Sequence, residues 1–300
     1  MRTLRGVLLL LCGVGVPALA FGQAPLTPAP TPGSAPEANV SDYFDSWFQR
    51  VDEAQASQPH WMTPLVTVTP RLEEEVRVDV FYERLGNGNT LDSFGNGKGL
   101  EFIPTTTNEV ILNAPTYIDR WGSKRAVGFG DWPFILVKQR LFSANEANGN
   151  YIVSAFLGLQ APIGNAHFTN NAWIVTPTIA AGKGWGDFDV QATESVAIPT
   201  AYEKTIGTSF ATNVAFQYHL LDVFWPEVEV NWTDWADGER GGKNQVFITP
   251  GIILGRFHLG GRLKAIFGVG YQVAVAPKLE KEPITPTYDE SWVFTARLAF

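Results

Sequence analysis

Four histidines, scattered serines and one cysteine are the residues of this chain that could serve as base, nucleophile or soft ligand. His60 precedes the patterned region, and His167 and His258 fall in connecting segments. His219 alone sits on the inward parity of an alternating run. A hydrolase would place a serine beside a histidine, yet Ser195 and His219 belong to opposite ends of adjoining runs. No catalytic residue is assigned, and the expected class is not an enzyme. Cysteine, histidine and carboxylate spacings do not fit zinc, so neither metal nor cofactor is expected. The glycines of LGNGNT and GNGKG are followed by no helical pattern that would cradle a phosphate.

The charged residues say more. In runs with a side-chain period of two, Glu75, Arg77, Asp79, Glu101, Glu109, Lys138, Arg140, Asp189, Glu227, Glu229, Lys264 and Arg297 share the face opposite the apolar one, as does Glu73. If that face is the inside of a closed sheet, charges of both signs must be paired or hydrated, because a lone buried charge is costly. Two readings follow. The charges form a ladder that fills the interior, or they line a hydrated path for a small solute; the twelve numbered residues from Glu75 to Arg297 are the expected path.

The runs that carry these charges read as strands near 72–84, 97–104, 107–114, 129–142, 150–161, 172–182, 187–199, 206–220, 226–235, 244–257, 262–275 and 289–300. The pattern is plain in 262–275, where Leu263, Phe267, Val269, Tyr271 and Val273 alternate with Lys264, Gly268, Gly270 and Gln272. Most runs reach ten to fourteen residues, near the ~9–11 that a tilted membrane strand needs. The last ten residues, SWVFTARLAF, put Trp292, Phe294, Ala296, Leu298 and Phe300 on one face. The expected fold class is all-β: a transmembrane antiparallel β-barrel of about twelve strands with a short N-terminal helix.

Composition agrees. Hydrophobic residues make up 45% and charged residues 17%, with 29 Gly, 20 Phe and 10 Trp; soluble domains carry roughly 25% charge. A net charge of −8 excludes nucleic acid as a partner. Arg2, Arg5, the apolar run from Gly6 to Val16 and Ala18-Leu19-Ala20 read as a signal peptide over 1–20. Cys12 lies within it, so the exported chain would hold together without disulfides. Residues 21–40 read as a Pro/Ala-rich linker. Residues 41–60 read as an amphipathic helix carrying Tyr43, Phe44, Trp47, Phe48 and Val51 at helical spacing, set either against the rim or as a plug. The barrel is expected over 61–300.

Connections are expected to alternate between long and short, with 85–96, 115–128, 162–171, 236–243 and 276–288 long on one side. Both termini then lie on the other, periplasmic side. Trp132, Trp173, Trp235 and Trp292 would ring one edge, and Trp185 and Trp225 the other. Pro133, Pro177 and Pro250 interrupt strands. Each removes a ladder N–H, which predicts either a bulge or a weakened seam.

The run GFGDWPFILVKQRLFSANEANGNYIVSAFLG (128–158) resembles the outer-membrane barrels grouped as transporters of the meta-pathway of phenol degradation. KGLEFIPTTTNEVIL (98–112), GKGWGDFDVQ (182–191) and AFQYHL (215–220) are similar to other parts of that group, and Asp131, Lys138 and Arg140 match its GD…K-x-R pattern. The resemblance implies a cell outer membrane location and passive uptake of a small hydrophobic or aromatic solute. It brings no catalytic residues. The partners expected are outer-membrane lipids, the barrel assembly machinery through the C-terminal strand, and the solute. The alternative is a closed structural or adhesive barrel without transport.

Overall fold

The computed structural model describes residues 40–95, 98–122, 125–278, 285 and 287–300. The expected signal peptide and the linker through residue 39 lie outside the described residues. Two helices, α1 (Val40–Asp45) and α2 (Trp47–Ala56), come first. Strand segments follow: β1 (Glu75–Arg84), β2 (Thr90–Phe94), β3 (Leu100–Thr105), β4 (Asn108–Leu112), β5 (Tyr117–Trp121), β6 (Ala126–Phe129), β7 (Trp132–Ala144), β8 (Tyr151–Ala161), β9 (Ile174–Trp185) and β10 (Phe188–Pro199). After the short helix α3 (Glu203–Ile206) come β11 (Ser209–Tyr218), β12 (Phe224–Trp235), β13 (Asn244–Gly260), β14 (Leu263–Ala276) and β15 (Glu290–Ala299).

All belong to one antiparallel sheet in which each stave pairs with the next in sequence, and β1 also pairs with β15 to close it. That seam runs unbroken from Glu75↔Ala299 to Arg84↔Glu290. Three staves are each made of two segments. β1 pairs with β3 near its start and with β2 farther on. In the same way β4 pairs with β3 and β7, while β5 pairs with β2 and β6. Counting these as single staves gives the expected twelve-strand barrel.

The split staves correct the expected loops 85–96 and 115–128. The first stretch contains the strand segment β2, and the second contains β5 and most of β6. Gly95, Gly99, Pro115 and Gly130 punctuate the sequence there; such residues mark jogs within a strand as readily as loops.

One rim carries Glu75, Ala299 and the tight turns at 106–107, 186–187 and 261–262; it is termed the terminal rim. The outward face is apolar over its height, as at Val78, Ile179, Phe216, Phe267 and Phe294. Glu194 is an outward exception, and it accepts a hydrogen bond from Thr212. Among the described residues no helix is long and apolar enough to cross a membrane. Trp173, Trp185 and Trp292 stand exposed on the outside, as expected. Trp225 and Trp235 do not; both are buried, and Trp225 turns inward onto His219, with ring centroids 4.1 Å apart.

Pro177 and Pro250 face outward, and neither causes a bulge. Around Pro177 the β9–β10 pairing lapses between Ser195↔Thr178 and Ile198↔Val175, and the register resumes unshifted. Around Pro250 the β13–β14 pairing lapses likewise between Ile248↔Val273 and Gly251↔Gly270. Each proline costs ladder hydrogen bonds without inserting a residue.

A closed seam predicts that Val78→Cys and Ala296→Cys, directly opposed on the outward face, form a disulfide on mild oxidation. An open sheet would leave both thiols free to a labelling reagent.

Candidate functional site

The interior is not empty. Residues 57–74, between α2 and β1, are not strand; they thread through the barrel as a strap. The first strand, expected from residue 72, begins at Glu75, and residues 72–74 belong to the strap. Three prolines in the strap, Pro59, Pro64 and Pro70, each lack an N–H; that was the signal against a strand. The strap is clasped at its base, where Gln58 Nε2 donates to Leu72 O at 2.8 Å and Leu72 N donates to Gln58 Oε1 at 2.9 Å. Arg71 Nε donates to Pro59 O at 2.5 Å and its Nη1 to Glu73 at 2.8 Å.

Half of the twelve expected inward charges grip this strap. Glu227 accepts from Leu65 N at 3.0 Å, and Glu229 accepts from Val66 N at 2.7 Å and Thr67 N at 2.6 Å. Arg77 Nη2 donates to Leu65 O at 2.6 Å, and Arg297 donates to Thr63 O at 2.6 Å and Pro64 O at 3.0 Å. Lys138 binds Arg71 O at 2.9 Å and pairs with Glu109 at 2.8 Å. Arg140 holds Ala54 O and Thr106 O. Charge-assisted bonds of this kind are short and about twice as strong as neutral ones.

Arg297 lies opposite Arg77, which is neutralised by Asp79 at 2.8 Å, and both arginines reach for strap carbonyls. Glu75 and Glu101 face each other across β1 and β3, each with one oxygen lacking a partner. Asp189 accepts from Gln191 at 3.0 Å. Lys264 is the outlier, half-buried at the terminal rim. Of the GD…K-x-R pattern, Asp131 anchors the 162–173 connection through Gly164 N and Asn170 N, while Lys138 holds the strap and Arg140 ties the end of α2 to the 106–107 turn.

Sequence reasoning missed several groups. Gln191 donates to Met62 O and accepts from Thr69 Oγ1, and Ser154 donates to Pro70 O. Arg256 donates to Trp61 O at 2.8 Å. It reaches inward because β13 bulges between Gly255 and Phe257, with Arg256 at φ 49. Unbroken alternation from the outward Pro250 would have turned it to the outside.

Apolar contacts seat the strap as firmly. Leu65 is fully buried with Met62, Trp225, Ile253, Ile266 and Val293. A Cβ on Gly251, Gly268 or Gly270 would come within 2.4, 2.7 and 2.7 Å of its methyls. Trp61 rests on Gly182 and Gly184, where a Cβ would come within 2.5 and 2.7 Å of its ring. The wall glycines are notches cut to these two side chains.

α2 lies across the terminal rim and not in the lumen. Asp52 pairs with Arg262 at 2.6 Å, and this hydrogen bond holds the Asp52 carboxyl below its ordinary pKa. Trp47 Nε1 donates to Glu74 at 2.8 Å. Two cavities flank the strap at this rim. One of about 410 Å³ is bounded by α2, Arg71, Glu73, Glu75, Arg256 and Lys264. The other, about 280 Å³, is bounded by Trp61, Asp189, His219 and Trp225. Ser195 lies opposite Ala211, far along β11 from His219, so the two do not meet. Among the described residues no three metal-ligating side chains gather.

No protein-family model and no curated protein matches the sequence. Among solved structures the chain is similar to an outer membrane channel from Pseudomonas putida F1, at 14% identity and a TM-score of 0.49, over 75% of this chain and 93% of that one. It is similar to the KdgM porin at 10% identity and a TM-score of 0.43, over 75% and 99%. The transport unit of the autotransporter AIDA-I from Escherichia coli matches at 12% identity and a TM-score of 0.41, over 84% and 97%. The fold of the present chain rests on its own strand pairing.

The strap enters the lumen at His60, whose N–H and ring bind Glu146 at 2.5 and 2.9 Å. Burial pushes the Glu146 carboxyl up, but these hydrogen bonds outweigh it and hold the pKa below the ordinary value. A depressed pKa contributes stability that is present above the unfolded value of ~4.3 and lost as pH falls through the folded one. Glu146→Gln should therefore lower the thermal midpoint near pH ~7, and its difference from the parent should fade below about pH 4. A difference that grows in acid would contradict this tie.

Proposed function

We propose that this chain is an outer-membrane, channel-like β-barrel through which a small solute moves passively. One observation carries the reading: a closed twelve-stave sheet is apolar outside and charged inside, as a barrel facing lipid requires. Export through the signal peptide and insertion through the closing strand β15 belong to the same proposal, with the terminal rim periplasmic. The solute class implied by the family resemblance is hydrophobic or aromatic, and that class rests on the resemblance alone. Twelve staves lie between the side-chain-filled eight and the water-filled sixteen, so the strap decides how much of the lumen is free. Of the twelve charges read as a solute path, Arg77, Glu109, Lys138, Glu227, Glu229 and Arg297 would act by holding that strap at the side of the passage.

The strap also favours a second reading, a closed structural or adhesive barrel that never conducts. Planar-bilayer conductance separates the two. The channel reading expects a low conductance for the intact chain and a several-fold rise when residues 57–74 are removed, or when Gly268→Val fills the Leu65 notch and displaces the strap. Removing only 41–55, which lie at the rim, should change little. No current from any of these folded barrels would support the closed reading.

A further inference from the structure

The strap satisfies much of the interior, and several of the groups it leaves over gather on one wall. Among the described residues, Glu75 Oε1, Arg77 Nη1, Ser93 Oγ, Glu101 Oε1 and both amide atoms of Asn113 are buried without a partner in the protein. Lys98 is buried beside them. Native interiors leave few such groups, and each one needs a reason.

The strand register gathers these residues where β1 changes partner from β2 to β3. Arg77 N donates to Gly99 O at 2.7 Å, so Arg77 and Gly99 share a level. Gly99 in turn abuts Asn113, whose Cα would lie 2.5 Å from a Cβ placed there. Glu75 opposes Glu101 one step away, and Lys98 adjoins Gly99. At the level of Gly99 the strap binds Arg77 Nη2 and leaves Nη1 unused. By contrast, Glu227, Glu229 and Lys138 on the other walls all bind strap atoms.

Donors and acceptors are balanced here. Arg77, Lys98 and the Asn113 amide offer N–H groups, and Glu75, Glu101 and the Asn113 carbonyl offer oxygens. Formal charge is balanced too: Glu75, Asp79 and Glu101 face Arg77, Lys98 and Arg297. Such a wall does not prefer an ion of either sign. An apolar solute would leave each polar group unpaired, at a cost of ~1–3 kcal/mol apiece. Hydroxyl groups both donate and accept, and they suit this wall best. Farther along the lumen the hydrogen-bonding chain is neutral as well: Asn213 donates to Thr193 at 3.1 Å, Asn231 to Asn213 at 3.0 Å, and Gln272 to Asn231 at 3.0 Å.

We propose that the β1–β3–β4 wall around Arg77, Lys98, Glu101 and Asn113 is a binding station for a small, neutral, multiply hydroxylated solute, a polyol or small sugar. The proposal rests on the channel reading above and replaces the hydrophobic class that the resemblance implies. Proteoliposomes holding the full chain test it by swelling in isosmotic ribitol, with KCl conductance measured on the same preparation. Ribitol should permeate, and Asn113→Leu and Lys98→Met should each lower ribitol permeability relative to KCl conductance by roughly fivefold, the net worth of about one hydrogen bond. Circular dichroism checks that each variant is folded. Ribitol permeation left at the parent ratio by both folded variants would overturn the station while keeping the channel. KCl conductance without ribitol permeation would likewise overturn the station alone. Failure of both ribitol and KCl to pass, in the parent and in the strap-displaced Gly268→Val barrel, would overturn the channel reading and the station with it.

Discussion

A length of extended backbone held inside a closed barrel must find a partner for each buried N–H and C=O, because an unpaired one costs nearly as much as a lost hydrogen bond. This constraint sorts the interior by sign. Carboxylates take the strap's N–H groups, as Glu227 and Glu229 do for Leu65, Val66 and Thr67 and Glu109 does for Glu73. Cations take its carbonyls, as Arg77, Lys138, Arg256 and Arg297 do. What looks in sequence like an ion-pair ladder is largely a set of brackets for another part of the same chain.

Shape follows the same division. Pro59, Pro64 and Pro70 bring no N–H to satisfy, which lowers the demand on the wall. Leu65 and Trp61 fill notches left by wall glycines. Close packing of this kind fixes one arrangement in preference to several. The β13 bulge adds a guanidinium where regular alternation would have none, at the cost of a left-handed backbone at Arg256. Non-glycine residues hold such conformations only where surrounding contacts impose them.

The barrel was legible in sequence because its signal is local and repeated. A period of two, sustained over strands such as 262–275, fixes which residues face in, and the inward residues from Glu75 to Arg297 follow from it. The strap was not legible, because its partners are remote: Leu65 and Glu227 are far apart in sequence and meet only after closure. The split staves were misread because Gly95, Pro115 and Gly130 punctuate strand and loop alike. Trp225 was misassigned because it turns inward onto His219 near a strand end, and Arg256 went unnoticed because a bulge carries it inward. Asp131, Lys138 and Arg140 stood out as a pattern, but their separate roles came only with their partners.

The central claim is that wall side chains hold the strap as part of the folded interior. Amide hydrogen exchange at Leu65, Val66 and Thr67 tests this most directly, since each N–H ends on a wall carboxylate. The account predicts exchange as slow as that of the β1 and β15 seam amides, with Val66 and Thr67 released together by Glu229→Gln. Exchange at the rate of an unstructured peptide in the intact protein would contradict it.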